Sequence, residues 1–183
     1  MKSETSDVHR RLHRVVDLDR LLASEEAFAA GLLRYLAAIE PLERGMRSFD
    51  APAIRPTGWA DRLSKTRRLR TDLAVFDKTA ASFDPIPVGD LSVFVGRAYV
   101  LEGMTLGGSL IATEVRRRLG YVPPPGGGFF RGGPTLMKDW RGFQDWTRSI
   151  NVEPEATIQE AVRVFEWFET RLAEPHAERT DLS

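Results

Sequence analysis

The sequence predicts an all-α fold, a compact single-domain array of several helices, on three observations. Apolar residues recur at spacings of three and four along most of the chain, the period of amphipathic helices. No segment alternates apolar and polar residues with the period of two that a hairpin requires, and no internal repeat is present. The length of 183 residues, with 42% hydrophobic, suits one domain able to bury a core.

The elements follow in order. Val8, Leu12 and Val15 mark one face of a first helix. A second starts at Ser24, a capping residue followed by Glu25 and Glu26, which favour a helix N-terminus. It continues through Phe28, Leu32, Leu36, Ile39 and Leu42, and Pro41 is expected to bend or shorten it. Residues 51–56 are a proline-marked connection. A third helix is expected over roughly 57–76, burying Leu63, Leu69, Leu73 and Phe76. Its other side carries Arg62, Lys65, Arg67, Arg68 and Arg70. Such a row reads first as a solvated face and second as a dock for an acidic partner.

After a break at Phe83-Asp-Pro-Ile-Pro87, residues 88–119 read as one long helix, interrupted around Gly103 and Gly107-Gly108. Residues 120–133 form a loop with three consecutive prolines and then three consecutive glycines, stiff first and loose afterwards. A helix over 136–150 is expected to bury Trp140, Phe143 and Trp146. Thr157-Ile-Gln-Glu160 has the form of a capping box that opens the last helix. One helical domain thus spans 1–174, with a polar tail over 175–183.

Composition excludes several classes of function. The 26 basic and 26 acidic residues balance, which argues against a large basic surface for nucleic acid. With no cysteine, disulfides, zinc-thiolate sites, iron–sulfur clusters and a cysteine nucleophile are ruled out. The N-terminus is polar, and the most apolar stretch, 93–111, is broken by Arg97, Glu102 and glycines. Neither a signal peptide nor a membrane span is therefore expected, and the expectation is a soluble cytoplasmic protein.

Two features carry chemistry. His9 and His13, two of the three histidines, lie four apart on the first helix. A helix histidine is ordinarily a packed or surface residue, but imidazole is also a good ligand for heme iron. Zinc would need a further ligand, and no H-E-x-x-H motif or cysteine pair supplies it; the E-x-x-H motifs of di-iron bundles are missing too. A single axial ligand to a cofactor is the sharper reading. The other feature is Gly103-Met-Thr-Leu-Gly107-Gly108. Glycine in a helix costs about 1 kcal/mol relative to alanine, so this cluster needs a reason. Either a neighbouring helix packs closely, or a flat ligand lies against the bared turns with the helix kinked over it. No phosphate loop is formed, since no Lys-Ser/Thr follows.

These residues resemble a family. Heme oxygenases begin with a helix reading Lys-x-x-Thr-x-x-Val-His, and this chain has Lys2, Thr5, Val8 and His9 at those positions. The bacterial branch associated with bacteriophytochromes looks like Tyr-Val-Leu-Glu-Gly-Ser-x-Leu-Gly-Gly in its distal helix. This chain is similar, with Tyr99-Val-Leu-Glu-Gly103-Met104-Thr105-Leu106-Gly107-Gly108. Phe129-Phe130, Trp140, Phe143 and a final amphipathic helix follow in the family order.

The resemblance implies a heme-oxygenase-like helical array. It makes His9 the proximal iron ligand and 103–108 the distal segment, where Gly103, Met104, Thr105 and Gly107 face the reaction. Gly103, Gly107 and Gly108 would let backbone approach the porphyrin, and Lys2, Arg141 and Arg148 would pair with its propionates. Heme, as both substrate and cofactor, would be cleaved with dioxygen and electrons to biliverdin, carbon monoxide and ferrous iron. The implied partners are an electron-donating reductase or ferredoxin and a bacteriophytochrome as biliverdin acceptor.

Two positions depart from the family. Met104 stands where the family has aspartate or serine to order a water, and a thioether accepts hydrogen bonds weakly. His13 stands where many members have a glutamate bonded to the ligand imidazole, a contact that sets its tautomer and donor strength. A non-catalytic heme or bilin carrier on the same fold is the alternative that Met104 favours. A His/Met six-coordinate heme and a cofactor-free helical interaction module stand behind it.

Overall fold

In a computed structural model of the chain, the described residues are 5–50, 62–125, 127–131 and 135–173, without the side chains of Ser6, His9, His13 and Arg14. Their helices are α1 (Ser6–Val15), α2 (Leu18–Leu21), α3 (Glu25–Ser48), α4 (Lys65–Ala74), α5 (Leu91–Leu119), α6 (Leu136–Ser149) and α7 (Pro154–Ala173). No strand occurs among the described residues, so the all-α reading holds. None of these helices is long and apolar enough to cross a membrane. The tail expected at 175–183 and the connection at 51–56 lie outside the described residues.

Local chemistry sets the helix ends. The Ser24 hydroxyl accepts from the Ala27 amide at 3.1 Å and opens α3 where the sequence predicts. The Asp90 carboxylate does the same for α5 through the Val93 amide at 2.9 Å. Gly120, at φ +65°, takes the left-handed conformation that closes α5.

Packing centres on α7, against which α1, α3 and α5 all lie, while α4 packs on α3 and α6 on α5. The sealed core joins Phe28, Leu32 and Leu36 of α3 to Leu69 of α4, Phe94 of α5 and Phe168 of α7. Helices α5 and α7 meet at Gly96, where a Cβ would stand 2.7 Å from the Thr157 carbonyl oxygen. Beside that contact the buried Arg97 guanidinium donates to Glu160 at 2.7 Å and to the Ile86 carbonyl at 2.7 Å.

Several local expectations are corrected. Helix α3 runs past Pro41 to Ser48, and the Pro41 carbonyl accepts from the Ile86 amide at 3.0 Å. Helix α5 is continuous over 29 residues, with no interruption at its glycines. Helix α4 starts at Lys65 because the buried Glu43 carboxylate accepts the Lys65 and Thr66 amides at 2.9 and 3.0 Å. Helix α7 starts at Pro154, and the expected capping box does not form. Thr157 instead donates to the Glu153 carbonyl at 2.8 Å, and Glu160 is taken by Arg97. On α6 Phe143 is sealed, whereas Trp140 and Trp146 are half-buried.

The basic row around α4 is not a uniform solvated face. Arg62 and Lys65 are mostly buried against Glu102, and Arg70 pairs with Glu40 at 2.7 Å. The described part of the proline–glycine loop, 120–125 and 127–131, is tied down at three points. Asp72 accepts from the Tyr121 hydroxyl at 2.8 Å and from the Gly128 and Phe129 amides at 2.7 and 2.8 Å.

Candidate functional site

Helix α5 changes character along its length. Phe94, Val95, Ala98, Val100 and Leu101 are buried. From Glu102 to Leu106 every residue is half-buried, and Gly107 is exposed. A helix leaving the core in this way presents one flank to whatever lies beside it.

The glycines divide into two kinds. At Gly103 and Gly107 a Cβ would meet nothing within 4 Å. Among the described residues no neighbouring helix explains their bareness, so the close helix packing open from sequence finds no support there. Gly108 differs: a Cβ would stand 2.9 Å from the Phe130 carbonyl oxygen. Its bareness admits the pinned loop.

The polar groups of this segment are few. Met104 is half-buried and packed against the hydrophobic core. Ser109 and Thr113 donate to carbonyls of their own helix, Leu106 and Ser109, at 3.1 Å each. The half-buried Thr105 hydroxyl makes no hydrogen bond among the described residues, which leaves it free to hold a water. Glu102, next to Gly103, is held by Arg62 and by Lys65 at 3.8 Å. Arg62 also donates to the Asp139 carbonyl at 3.1 Å, linking this turn to α6. Burial lowers the Lys65 pKa, partly offset by Glu102 and Glu43.

Helix α1 carries His9 and His13 in its backbone. It is seated by Val8 and Leu12 in the core and by Arg11, which reaches Glu169 of α7 at 3.1 Å. Helices α1 and α5 therefore share α7 as a common support, with no more than marginal contact with each other among the described residues. The imidazoles of His9 and His13 lie outside the described atoms, as does Lys2. Arg141 is exposed on α6 and in no ion pair among the described residues. Arg148 is exposed too but bonded to Asp145 at 2.7 Å. The aromatic chain Tyr99–Trp140–Phe143, with ring centroids 5.8 and 5.7 Å apart, fixes α6 against α5.

Sequence reasoning did not anticipate the Arg97–Glu160 and Arg62–Glu102–Lys65 clusters. The one signal was the presence of Arg97 and Glu102 inside the most apolar stretch of the chain, since charges there need partners.

No protein-family model matches the chain, and no curated protein sequence matches it. A solved structure does: the NO- and CO-bound heme oxygenase from Neisseria meningitidis. The likeness has a TM-score of 0.77 at 20% identity, covering 93% of this chain and 87% of that one. Likeness at that identity establishes a shared fold, so the chain has a heme-oxygenase-like helical array.

Proposed function

We propose that the chain is a heme oxygenase, which takes heme as its substrate and cleaves it to biliverdin, carbon monoxide and ferrous iron. The observation that carries this reading is the space beside Gly103 and Gly107, where no described atom would stand within 4 Å of a Cβ. Missing side chains with nothing packed against them suit a flat aromatic ligand, and the fold shared with a heme oxygenase says which ligand to try first. Bound heme supplies the iron that activates dioxygen and the ring that is opened.

The chain's own residues hold and shield that substrate. His9 on α1 is the proposed iron ligand, with His13 one turn further on. Gly103 and Gly107 let the α5 backbone lie against the porphyrin, restricting the room left above it. Thr105 has an uncommitted hydroxyl to hold a water there, a task for which the Met104 thioether is unsuited. Arg141, with no ion pair of its own, is the better candidate for a propionate; Arg148 would first have to leave Asp145. Lys2 completes the proposed set. The activity belongs to the helical unit 1–174, fed by an external reductase or ferredoxin, and a bacteriophytochrome is the proposed acceptor of the bilin.

The test is direct. Full-length protein is loaded with one equivalent of hemin and supplied with ascorbate and oxygen. The Soret band is expected to decay as a biliverdin spectrum grows. An intact heme spectrum after many equivalents of reductant removes the enzymatic reading.

A second reading, a heme or bilin carrier on the same fold, is favoured by one residue: Met104, a thioether at the position where the family that the chain resembles carries a hydroxyl or carboxylate. It predicts binding without turnover, and degradation gained on Met104→Ser.

A further inference from the structure

A second cleft lies away from α5. It is bounded by the end of α1, by α2, by the middle of α3 and by the end of α7, with a volume of about 200 Å³, and no residue of α5 lines it. Val15, Val16 and Leu172 give it apolar walls, and Arg20, Arg34 and Tyr35 are its main polar groups.

Its two arginines form no ion pair among the described residues. Several buried or half-buried arginines are matched by a carboxylate: Arg11 by Glu169, Arg62 by Glu102, Arg70 by Glu40 and Arg97 by Glu160. Neither Arg20 nor Arg34 has a carboxylate within 4 Å, nor does either guanidinium make a hydrogen bond, among the described residues. Arg34 is nonetheless drawn inward. Gly31 lets Leu21 approach so closely that a Cβ would stand 2.1 Å from its Cδ1, and the Arg34 Nη2 would lie 3.9 Å from that Cβ. The guanidinium thus folds over the bared turn of α3 toward α2. Burial and the nearby Arg20 charge both lower its pKa. Arg20, exposed on α2, and the half-buried Arg34 bring two like charges to one cleft, and they repel unless an anion joins them.

The remaining groups define that anion. Asp17 also lines the cleft, but one carboxylate oxygen is committed to the Asp19 and Arg20 amides at 2.9 and 3.2 Å. Two guanidinium charges and one carboxylate leave a net charge of +1, which suits a monoanion. Tyr35 is buried, and its hydroxyl has no hydrogen-bond partner among the described residues. A planar carboxylate can take two parallel bonds from a guanidinium and a further one from a hydroxyl. The valine and leucine walls would cover an apolar body attached to it.

We propose that this cleft is a binding site for a small organic monoanion, a carboxylate on a short apolar body. Arg20 and Arg34 hold its head, the Tyr35 hydroxyl donates to it, and Val15, Val16 and Leu172 enclose the body. The site rests on no part of the heme reading.

Benzoate, inorganic phosphate and chloride are the probes, titrated into the full chain at matched ionic strength and followed by calorimetry and thermal unfolding. Benzoate is expected to bind saturably and raise the Tm, as any ligand selective for the folded state does. Arg34→Gln should weaken it at least tenfold, Arg20→Gln less and Tyr35→Phe a few-fold. Without ligand, Arg34→Gln should melt at or above the wild-type temperature, because it removes a repulsion, whereas loss of a merely structural arginine would lower the Tm. Hemin and benzoate should bind together. Four results overturn the proposal: no saturable benzoate effect, an equal effect in Arg34→Gln, a response reproduced by chloride, or tighter binding of phosphate than of benzoate. None of them bears on heme cleavage.

Discussion

At the scale of single residues, four glycines of one helix make opposite predictions. Gly103 and Gly107 face open space, so alanine there meets nothing within 4 Å. Gly103→Ala and Gly107→Ala should each raise stability by up to about 1 kcal/mol, the helix-propensity difference. Both should weaken hemin binding or slow its degradation, because the methyl group enters the proposed ligand space. Gly96→Ala and Gly108→Ala should destabilise instead, since the Thr157 and Phe130 carbonyl oxygens stand 2.7 and 2.9 Å from the new carbon. Urea unfolding of the four variants checks the signs; a loss of stability at Gly103 or Gly107 would mean that those turns are packed. Sequence alone could flag this glycine run but could not sort it. Propensity is a property of the helix, whereas the reason for each glycine lies in what stands opposite it.

At the scale of elements, buried ion pairs decide how the helices seat. Arg97→Ala strands Glu160, which is 6% exposed and retains only the exposed Arg163 at 3.3 Å. The expected cost is about 3–5 kcal/mol, read as a lower urea midpoint; a change under about 1 kcal/mol, the size of a surface pair, would mean that the pair does not clamp α5 to α7. Lys65 gives a pH signature. Burial lowers its folded pKa, so between that value and the ordinary lysine value the unfolded chain binds more protons, and stability rises with pH through that window. Wild-type protein should therefore gain stability relative to Lys65→Gln as the pH rises toward the ordinary lysine value, and a constant or shrinking difference would contradict the assignment. These pairs also explain what was misjudged from sequence. Glu43 caps α4 from another helix, and Glu160 leaves its capping role for Arg97. Both contacts join residues distant in the chain, and no local pattern encodes them. Ser24 caps its own helix, and its role was legible from the two glutamates that follow it.

At the scale of the whole molecule, periodicity sufficed for the fold class, because apolar spacing reports directly which helix faces are buried. The arrangement of α1 and α5 on either part of α7 was not in that periodicity. The resemblance of two short motifs implied only a heme-oxygenase-like array, which the structural likeness to a heme oxygenase supports. What the motifs could not convey is that α5 stays continuous through its glycines, and that a Cβ at Gly103 or Gly107 would meet no described atom within 4 Å. The central claim is that this space receives heme held by His9. The measurement that tests it most directly is the absorption spectrum of the hemin complex of His9→Ala, with and without added imidazole. The account predicts a displaced, weakened Soret band in the variant and its return toward the wild-type position when imidazole replaces the missing ligand. A variant spectrum identical to wild type, unmoved by imidazole, would contradict it.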